Sequence, residues 1–164
     1  MSNKVYIGID NGTTGSIGIV GDNCQPQILH TPVKKEQDYT KAKKNVSRLD
    51  VNGFIEILNQ YNHNDIVVVC ERPMINPTRW TASMTAIRCW EAQLVCLEVL
   101  GISHQFVDSK EWQREMLPKG IKGAPELKKA SRDIGIRLFP TMSSFKHTDL
   151  DGLLIAEYAR RKNL

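Results

Sequence analysis

The chain is short of several things, and each shortage removes a class of answer. Only four of its 164 residues are cysteine, and none of Cys24, Cys70, Cys89 and Cys96 falls in a C-x-x-C pair. That spacing does not suggest a zinc site. Cys89 and Cys96 lie seven apart in a helical pattern, hence on one helix face, so the thiols read as small apolar core residues kept reduced inside a cell. Apolar residues make up 41% of the chain, yet no run approaches the roughly 20 that span a bilayer. The opening residues MSNKVYIGID lead straight into a strand pattern, without the charged, apolar and small-residue regions of a secretory signal. A cytoplasmic setting is the expectation. There is no internal repeat and no low-complexity segment, and the length fits one domain over residues 1–164.

The net charge of +4 is a mild bias and names no partner by itself. Its distribution says more. Lys34, Lys35, Lys41, Lys43, Lys44 and Arg48 crowd one polar stretch. Lys110, Arg114, Lys119, Lys122, Lys128, Lys129, Arg132 and Arg137 crowd another. Such clusters can neutralise phosphates, and they read equally well as ordinary solvated faces.

Residues 4–10 predict a strand, 11–15 a turn rich in glycine and asparagine, and 16–20 a second strand, so the pair reads as a hairpin. A third strand is expected over 26–32, between Pro26 and Pro32. The basic stretch 34–48 reads as a loop. Asp50 can cap a helix through about Tyr61. DIVVVC over 65–70 stays apolar after its first residue, as a strand buried inside a sheet does. A loop over 74–82 should precede a long helix over 83–100, closed by Gly101. A strand over 102–107 and a helix capped by Ser109 follow. LPKGIKGAP, over 117–125, reads as a connecting loop. A basic amphipathic helix over 126–138, a polar connector, and a last helix from about Asp149 complete the chain. Strands first, then strands alternating with helices, predict an α/β layered domain with a mixed sheet.

Three acids carry the chemistry. Asp10 ends the first strand, Glu71 ends the buried strand, and Asp151 opens the last helix in the run DLDGLLIA. An acid at the end of an apolar strand is costly unless something pairs with it. Clustered carboxylates repel one another, and divalent cations relieve that repulsion. Oxygen-only ligands select hard ions such as Mg²⁺ or Mn²⁺, and two of them about 4 Å apart can drive phosphodiester hydrolysis. Each acid also has a plain reading. Asp10 can begin a turn, and Asp149 and Asp151 can favour a helix N-terminus. The order strand-Asp, strand-Glu, helix-Asp is what makes the set specific. His147, four residues before Asp151, can act as a ligand, a base or a water-positioning group. His30, His63 and His104 lack such a neighbourhood in the sequence.

At these residues the chain resembles a known family. Ile7-Gly8-Ile9-Asp10-Asn11-Gly12 is similar to the first-strand motif of the RuvC-type Holliday-junction resolvases, and Val69-Cys70-Glu71-Arg72-Pro73 to their second motif. Asp151-Gly152-Leu153-Leu154-Ile155-Ala156 resembles their C-terminal helix motif. The basic helix followed by Leu138-Phe139-Pro140 resembles phage-type members, which act in a bacterial host. The resemblance implies an RNase H-like fold with a central mixed five-stranded sheet flanked by helices. It implies a metal-dependent endonuclease that cuts four-way DNA junctions, with Asp10, Glu71 and Asp151 as ligands of two Mg²⁺ or Mn²⁺ ions. The family carries a further acid or histidine shortly before the last Asp. Here position 148 is Thr, so that role passes to His147 or Asp149. Helical i, i+4 spacing ranks His147 slightly higher, and Asp149 reaches the site if the helix begins later.

The resemblance also implies a homodimer, for which the helix 83–100 offers Met84, Ile87, Trp90, Leu94, Val95 and Leu97. Arg79 and Trp80 are candidates for junction contact by charge and stacking. Lys110, Lys119, Lys122, Lys128 and Lys129 are candidates for phosphate contact. Three other readings compete, one of them on the same first strand. GIDNGTT also resembles the phosphate-binding hairpin of sugar kinases and actin-like ATPases, but those need two lobes, and no second Asp-Gly phosphate motif is evident. A DNA-binding or assembly module that kept the fold without catalysis is opposed by the presence of all three acids, and an RNA–DNA hybrid or flap nuclease on the same fold would differ in surface loops.

Overall fold

The computed structural model describes residues 4–38 and 41–164. The elements run β1 (Val5–Ile9), β2 (Ser16–Gly21), β3 (Cys24–His30), β4 (Val33–Gln37), β5 (Asn45–Leu49), α1 (Val51–Leu58), β6 (Ile66–Glu71), α2 (Trp80–Val99), β7 (His104–Val107), α3 (Ser109–Met116), α4 (Ala124–Leu138) and α5 (Asp151–Lys162). Five strands form one sheet in the order β3-β2-β1-β6-β7. β1, β2 and β3 make an antiparallel meander, while β6 and β7 run parallel to β1. This is the expected mixed five-stranded sheet with helices on both faces.

Strand alternation divides the interior in two. Tyr6, Val20, Ile28 and Val69 face a core shared with Trp112, Leu150, Leu153, Leu154 and Tyr158. Ile7, Ile9, Ile17, Ile19, Val68 and Cys70 face a second core with Phe54, Leu58, Cys89, Cys96 and Leu97. The central strands are apolar on both sides because each side is covered. β3 lies at the sheet edge, which lets it carry Pro26 inside the strand and begin at Cys24, earlier than its flanking prolines suggest.

α5 sits unusually deep. Residues 152–159 are all buried, so this helix is enclosed on every side. Three glycines permit the approach. A Cβ on Gly8 would lie 2.3 Å from Ala156 N and Gly152 O, and one on Gly18 would lie 2.2 Å from Leu153 Cα. A Cβ on Gly152 would meet Ser16 O at 2.6 Å. The α5 backbone therefore rests directly on β1 and β2, and Gly152 N donates to Ser16 Oγ at 3.1 Å.

Several expectations need correction. The stretch 34–48 is not a loop but a separate two-stranded hairpin, β4–β5, in register from Val33↔Leu49 to Gln37↔Asn45. Its crowded charge hid the alternation, and Glu36 relieves the cross-strand repulsion by pairing with Lys34 at 2.8 Å and with Arg48. The loop over 74–82 gives way to helix already at Trp80, after a 3-10 turn over Pro77–Arg79 in which Thr78 N donates to Asn76 Oδ1 at 3.0 Å. α1 ends at Leu58, before Tyr61, and the side chain of its N-cap Asp50 makes no capping bond. Asp108, not Ser109, holds the N-cap position of α3. α4 begins two residues before 126, with Pro125 in its first turn, where the missing N–H costs nothing. α5 begins at Asp151, so Asp149 precedes the helix. No helix among the described residues is long and apolar enough to cross a membrane.

Candidate metal centre

The parallel register of β1 and β6 pairs Ile9 with Cys70. Asp10 and Glu71 are the next residue on each strand. They leave the sheet side by side, on the face that Gly8 and Val69 share with α5. The glycine contact beneath α5 carries the start of that helix to the same point. One carboxylate oxygen from each of Asp10, Asp149 and Asp151 lies within 4.8 Å of the others. Glu71 joins the group directly, because its carboxyl and that of Asp10 are within hydrogen-bonding reach of each other.

Each acid is held by its surroundings. Trp112, fully buried on α3, donates its indole N–H to Glu71 Oε1 at 3.0 Å. Ser131 on α4 hydrogen-bonds the Asp151 carboxylate and accepts from Leu150 N at 3.2 Å. Asp149 is 2% exposed and accepts from Thr148 Oγ1 at 3.1 Å and Asp151 N at 3.3 Å. Lys128 Nζ, on α4, lies 3.3 Å from Asp149 Oδ2.

His147 takes a different place from the one helical spacing suggests, because residues 147–150 precede the helix. Its Nε2 faces Thr14 O at 3.0 Å and its Nδ1 faces Asp149 O at 3.0 Å. The ring ties the turn after Asp10 to the segment before α5, and its Nδ1 also lies 3.3 Å from Asp149 Oδ1, at the edge of the acid group. Asp149, not His147, is the residue whose side chain joins the acid group. His30 adds to this rim, its ring centroid 5.3 Å from that of His147 and 4.6 Å from that of Phe145. Arg132, counted with the basic cluster in the sequence, donates to the carbonyls of Phe145 and His147 at 3.1 and 2.9 Å and so holds this segment in place.

The electrostatics follow from the crowding. Burial, then the charges of Glu71, Asp151 and Asp149, push the Asp10 carboxyl well above the usual range. Burial also raises Glu71, against the hydrogen bonds from Trp112 and Asp10. Burial and the Asp149 charge push Asp151 up to about 7, despite Ser131 and Lys128. Without a cation the cluster therefore retains protons at neutral pH. Four carboxylates with no sulfur or ring nitrogen among the converging donors fit a hard divalent ion such as Mg²⁺ or Mn²⁺.

The other candidates disperse. Arg79 lines the cleft beside Glu71, with Asn11, Ser83 and Ser109. Trp80 is 66% exposed at the start of α2. Of the five lysines, only Lys128 reaches the acids. Lys129 turns away into a depression with Asp133 and Arg137. Lys110 lines a depression beside the 117–121 loop, which itself carries Lys119, and Lys122 is exposed in the connection to α4. Sequence reasoning missed Trp112 and Ser131. The available signal for the first was a tryptophan one turn into the helix after the last strand, since a buried indole N–H must find an acceptor.

No protein-family profile matches the chain, and no curated protein matches it either. Solved structures do. The structure of RuvC from Thermus thermophilus matches with a TM-score of 0.59 at 16% identity, over 97% of this chain and 96% of that one. T. thermophilus RuvC in complex with Holliday junction substrate matches with a TM-score of 0.60 at 14% identity, over the same shares. The chain thus has the RNase H-like fold of the RuvC resolvases.

Proposed function

We propose that this protein is a divalent-metal-dependent endonuclease that cuts branched DNA, above all four-way junctions, and works as a homodimer. The observation that carries the reading is the meeting of Asp10, Glu71, Asp149 and Asp151 at one end of the sheet, three of them with oxygens within 4.8 Å. The fold shared with a RuvC solved on its junction substrate supports the choice of substrate.

In this reading Asp10, Glu71 and Asp151 hold two Mg²⁺ or Mn²⁺ ions, and Asp149 completes the set. Bound ions of this kind activate a water and stabilise the charge that builds on the scissile phosphate and its leaving oxygen. The chain's own residues fix the geometry. Trp112 holds Glu71, Ser131 holds Asp151, and His147 clamps Thr14 to the Asp149 backbone. Lys128 places a cation at the edge of the acids, where a phosphate oxygen would meet it. Arg79 lines the cleft and Trp80 is exposed next to it in the chain, and in this reading both meet unpaired or bent DNA. Val95 and Val99, 48% and 77% exposed on α2, offer the dimer contact.

A nuclease assay on synthetic four-way junctions, flaps, RNA–DNA hybrids and linear duplex, with and without divalent ions, tests the reading. Cation-dependent nicking concentrated at the junction is the expected result. Preferential cleavage of hybrids or flaps, or ATP hydrolysis in place of DNA cleavage, would replace it with another reading.

A further inference from the structure

The β4–β5 hairpin is a charged feature that the metal centre does not use. Its seventeen residues, 33–49, hold six cations against Glu36 and Asp38, a net +4. That equals the net charge of the entire chain, so everything outside the hairpin sums to zero. Residues 110–137 carry an equal excess, eight cations against Glu111, Glu115, Glu126 and Asp133, but spread it over more of the chain, so the hairpin is the denser of two basic regions.

The cations divide into two groups. Lys34 and Arg48 are engaged with Glu36 on the hairpin face toward α2. Lys35, Lys41, Lys43 and Lys44 are exposed, and no ion pair among the described residues holds them. Three of these four sit at the hairpin's far end. That end is braced: Asp38 N donates to Lys44 O at 2.8 Å, and Gln37 Nε2 donates to Lys43 O at 3.1 Å. Lys43 adopts φ 48°, a left-handed conformation that a non-glycine residue occupies only at a cost.

The base of the arm is fixed at the acid cluster. Thr31 N donates to Gly15 O at 3.1 Å, and Asp50 N donates to Pro32 O at 2.9 Å. Gly15 packs against Asp10, since a Cβ there would lie 2.2 Å from Asp10 O. Leu49, at the end of β5, is buried in the core with α2. The arm is thus anchored to the same rigid body that positions the carboxylates.

We propose that the β4–β5 hairpin is a second DNA-binding surface, which grips the phosphate backbone of a duplex arm through Lys35, Lys41, Lys43 and Lys44. The inference rests on the nuclease reading for its partner. Lysine ammonium groups act as point charges and fit phosphates without reading bases. The surface therefore adds affinity and salt dependence that do not vary with sequence, and it leaves the chemical step untouched.

The test is binding, separated from cleavage. Affinities for four-way junctions with short and long arms are measured by fluorescence anisotropy in EDTA across a salt series. The wild type is compared with a variant carrying Lys35→Ala, Lys41→Ala, Lys43→Ala and Lys44→Ala. The expected result is roughly a tenfold or greater loss of affinity at low salt, with the slope of log K against log salt shallower by about 0.9 for each contact removed. Long arms should lose their advantage over short ones. Arginine at the same four positions should restore affinity, and single-turnover cleavage at saturating enzyme should match the wild type. If the fourfold variant does not fold, Lys41→Glu with Lys44→Glu reads the same loss. An unchanged affinity and salt slope in a folded variant overturns the proposal. Binding by the wild type with no cation-dependent cleavage overturns the nuclease reading instead, and leaves the hairpin comparison to be judged on affinity alone.

Discussion

The two faces of the central sheet are built to different tolerances. On one, α5 lies so close that Gly8, Gly18 and Gly152 have no room for a methyl group, and the acids occupy the end of that contact. On the other, α2 and the β4–β5 hairpin stand apart around a groove of about 560 Å³. That face also leaves both polar atoms of the buried Gln93 and the Trp90 indole N–H without partners. The difference separates two demands. A constellation of carboxylates works only if its backbone supports cannot shift, whereas a face without such a constellation can carry exposed apolar and basic side chains on looser packing.

The largest predicted effect comes from breaking the tight face. Gly18→Val forces a side chain into the Leu153 backbone, and should lower stability by about 3 kcal/mol or more and abolish cleavage. Val95→Ala, on the exposed side of α2, should stay within about 0.5 kcal/mol in the monomer. Thermal denaturation of the two variants is the check, and equal losses would erase the distinction between the faces.

Next is the charge itself. Asp10→Asn should reduce cleavage roughly a thousandfold, because several kcal/mol of charge stabilisation depend on that ligand. Junction binding should persist, since the basic surface is untouched. Without metal the same variant should lose less stability than the wild type as pH rises, as it has no buried carboxyl at that position to ionise.

The third effect concerns pH. An unfolded Asp151 releases its proton near the ordinary value of about 4, whereas the folded residue keeps it up to about 7. The folded state binds more protons across that window, so the metal-free protein loses stability as pH rises through it. Mg²⁺ or Mn²⁺ should therefore raise the melting temperature more at pH 8 than at pH 5. A cation effect independent of pH would argue against binding at these acids.

Smaller effects come from single hydrogen bonds. Trp112→Phe keeps most of the volume but removes the donor to Glu71, at a cost of about 1–2 kcal/mol. It should also move the acid limb of the cleavage–pH profile upward, because Glu71 loses a contact that favours its charged form. Gln93→Met, on the looser face, removes two unpartnered polar atoms and should stabilise the protein by about 1 kcal/mol, read as a higher melting temperature.

Much of this arrangement is legible in the chain. Asp10 after VYIGI and Glu71 after an apolar run announce strand ends, because period-2 patterning and burial are local properties. The basic stretch was misread because charge density outweighed its strand alternation, and only the pairing of Glu36 with Lys34 and Arg48 reveals two strands. The choice between His147 and Asp149 depended on where α5 starts, and helix ends are the least local feature of a sequence.

By itself, then, the sequence determined the order of strands and helices outside the β4–β5 hairpin, and the acids at their ends. The tertiary structure alone decided that β6 lies beside β1, that Trp112 and Ser131 brace the acids, and that Lys128 turns toward them while Lys129 turns away. The physical reason is range. Propensity and periodicity act over a few residues, whereas partners such as Glu71 and Trp112, 41 positions apart, meet only once burial has chosen which faces pack.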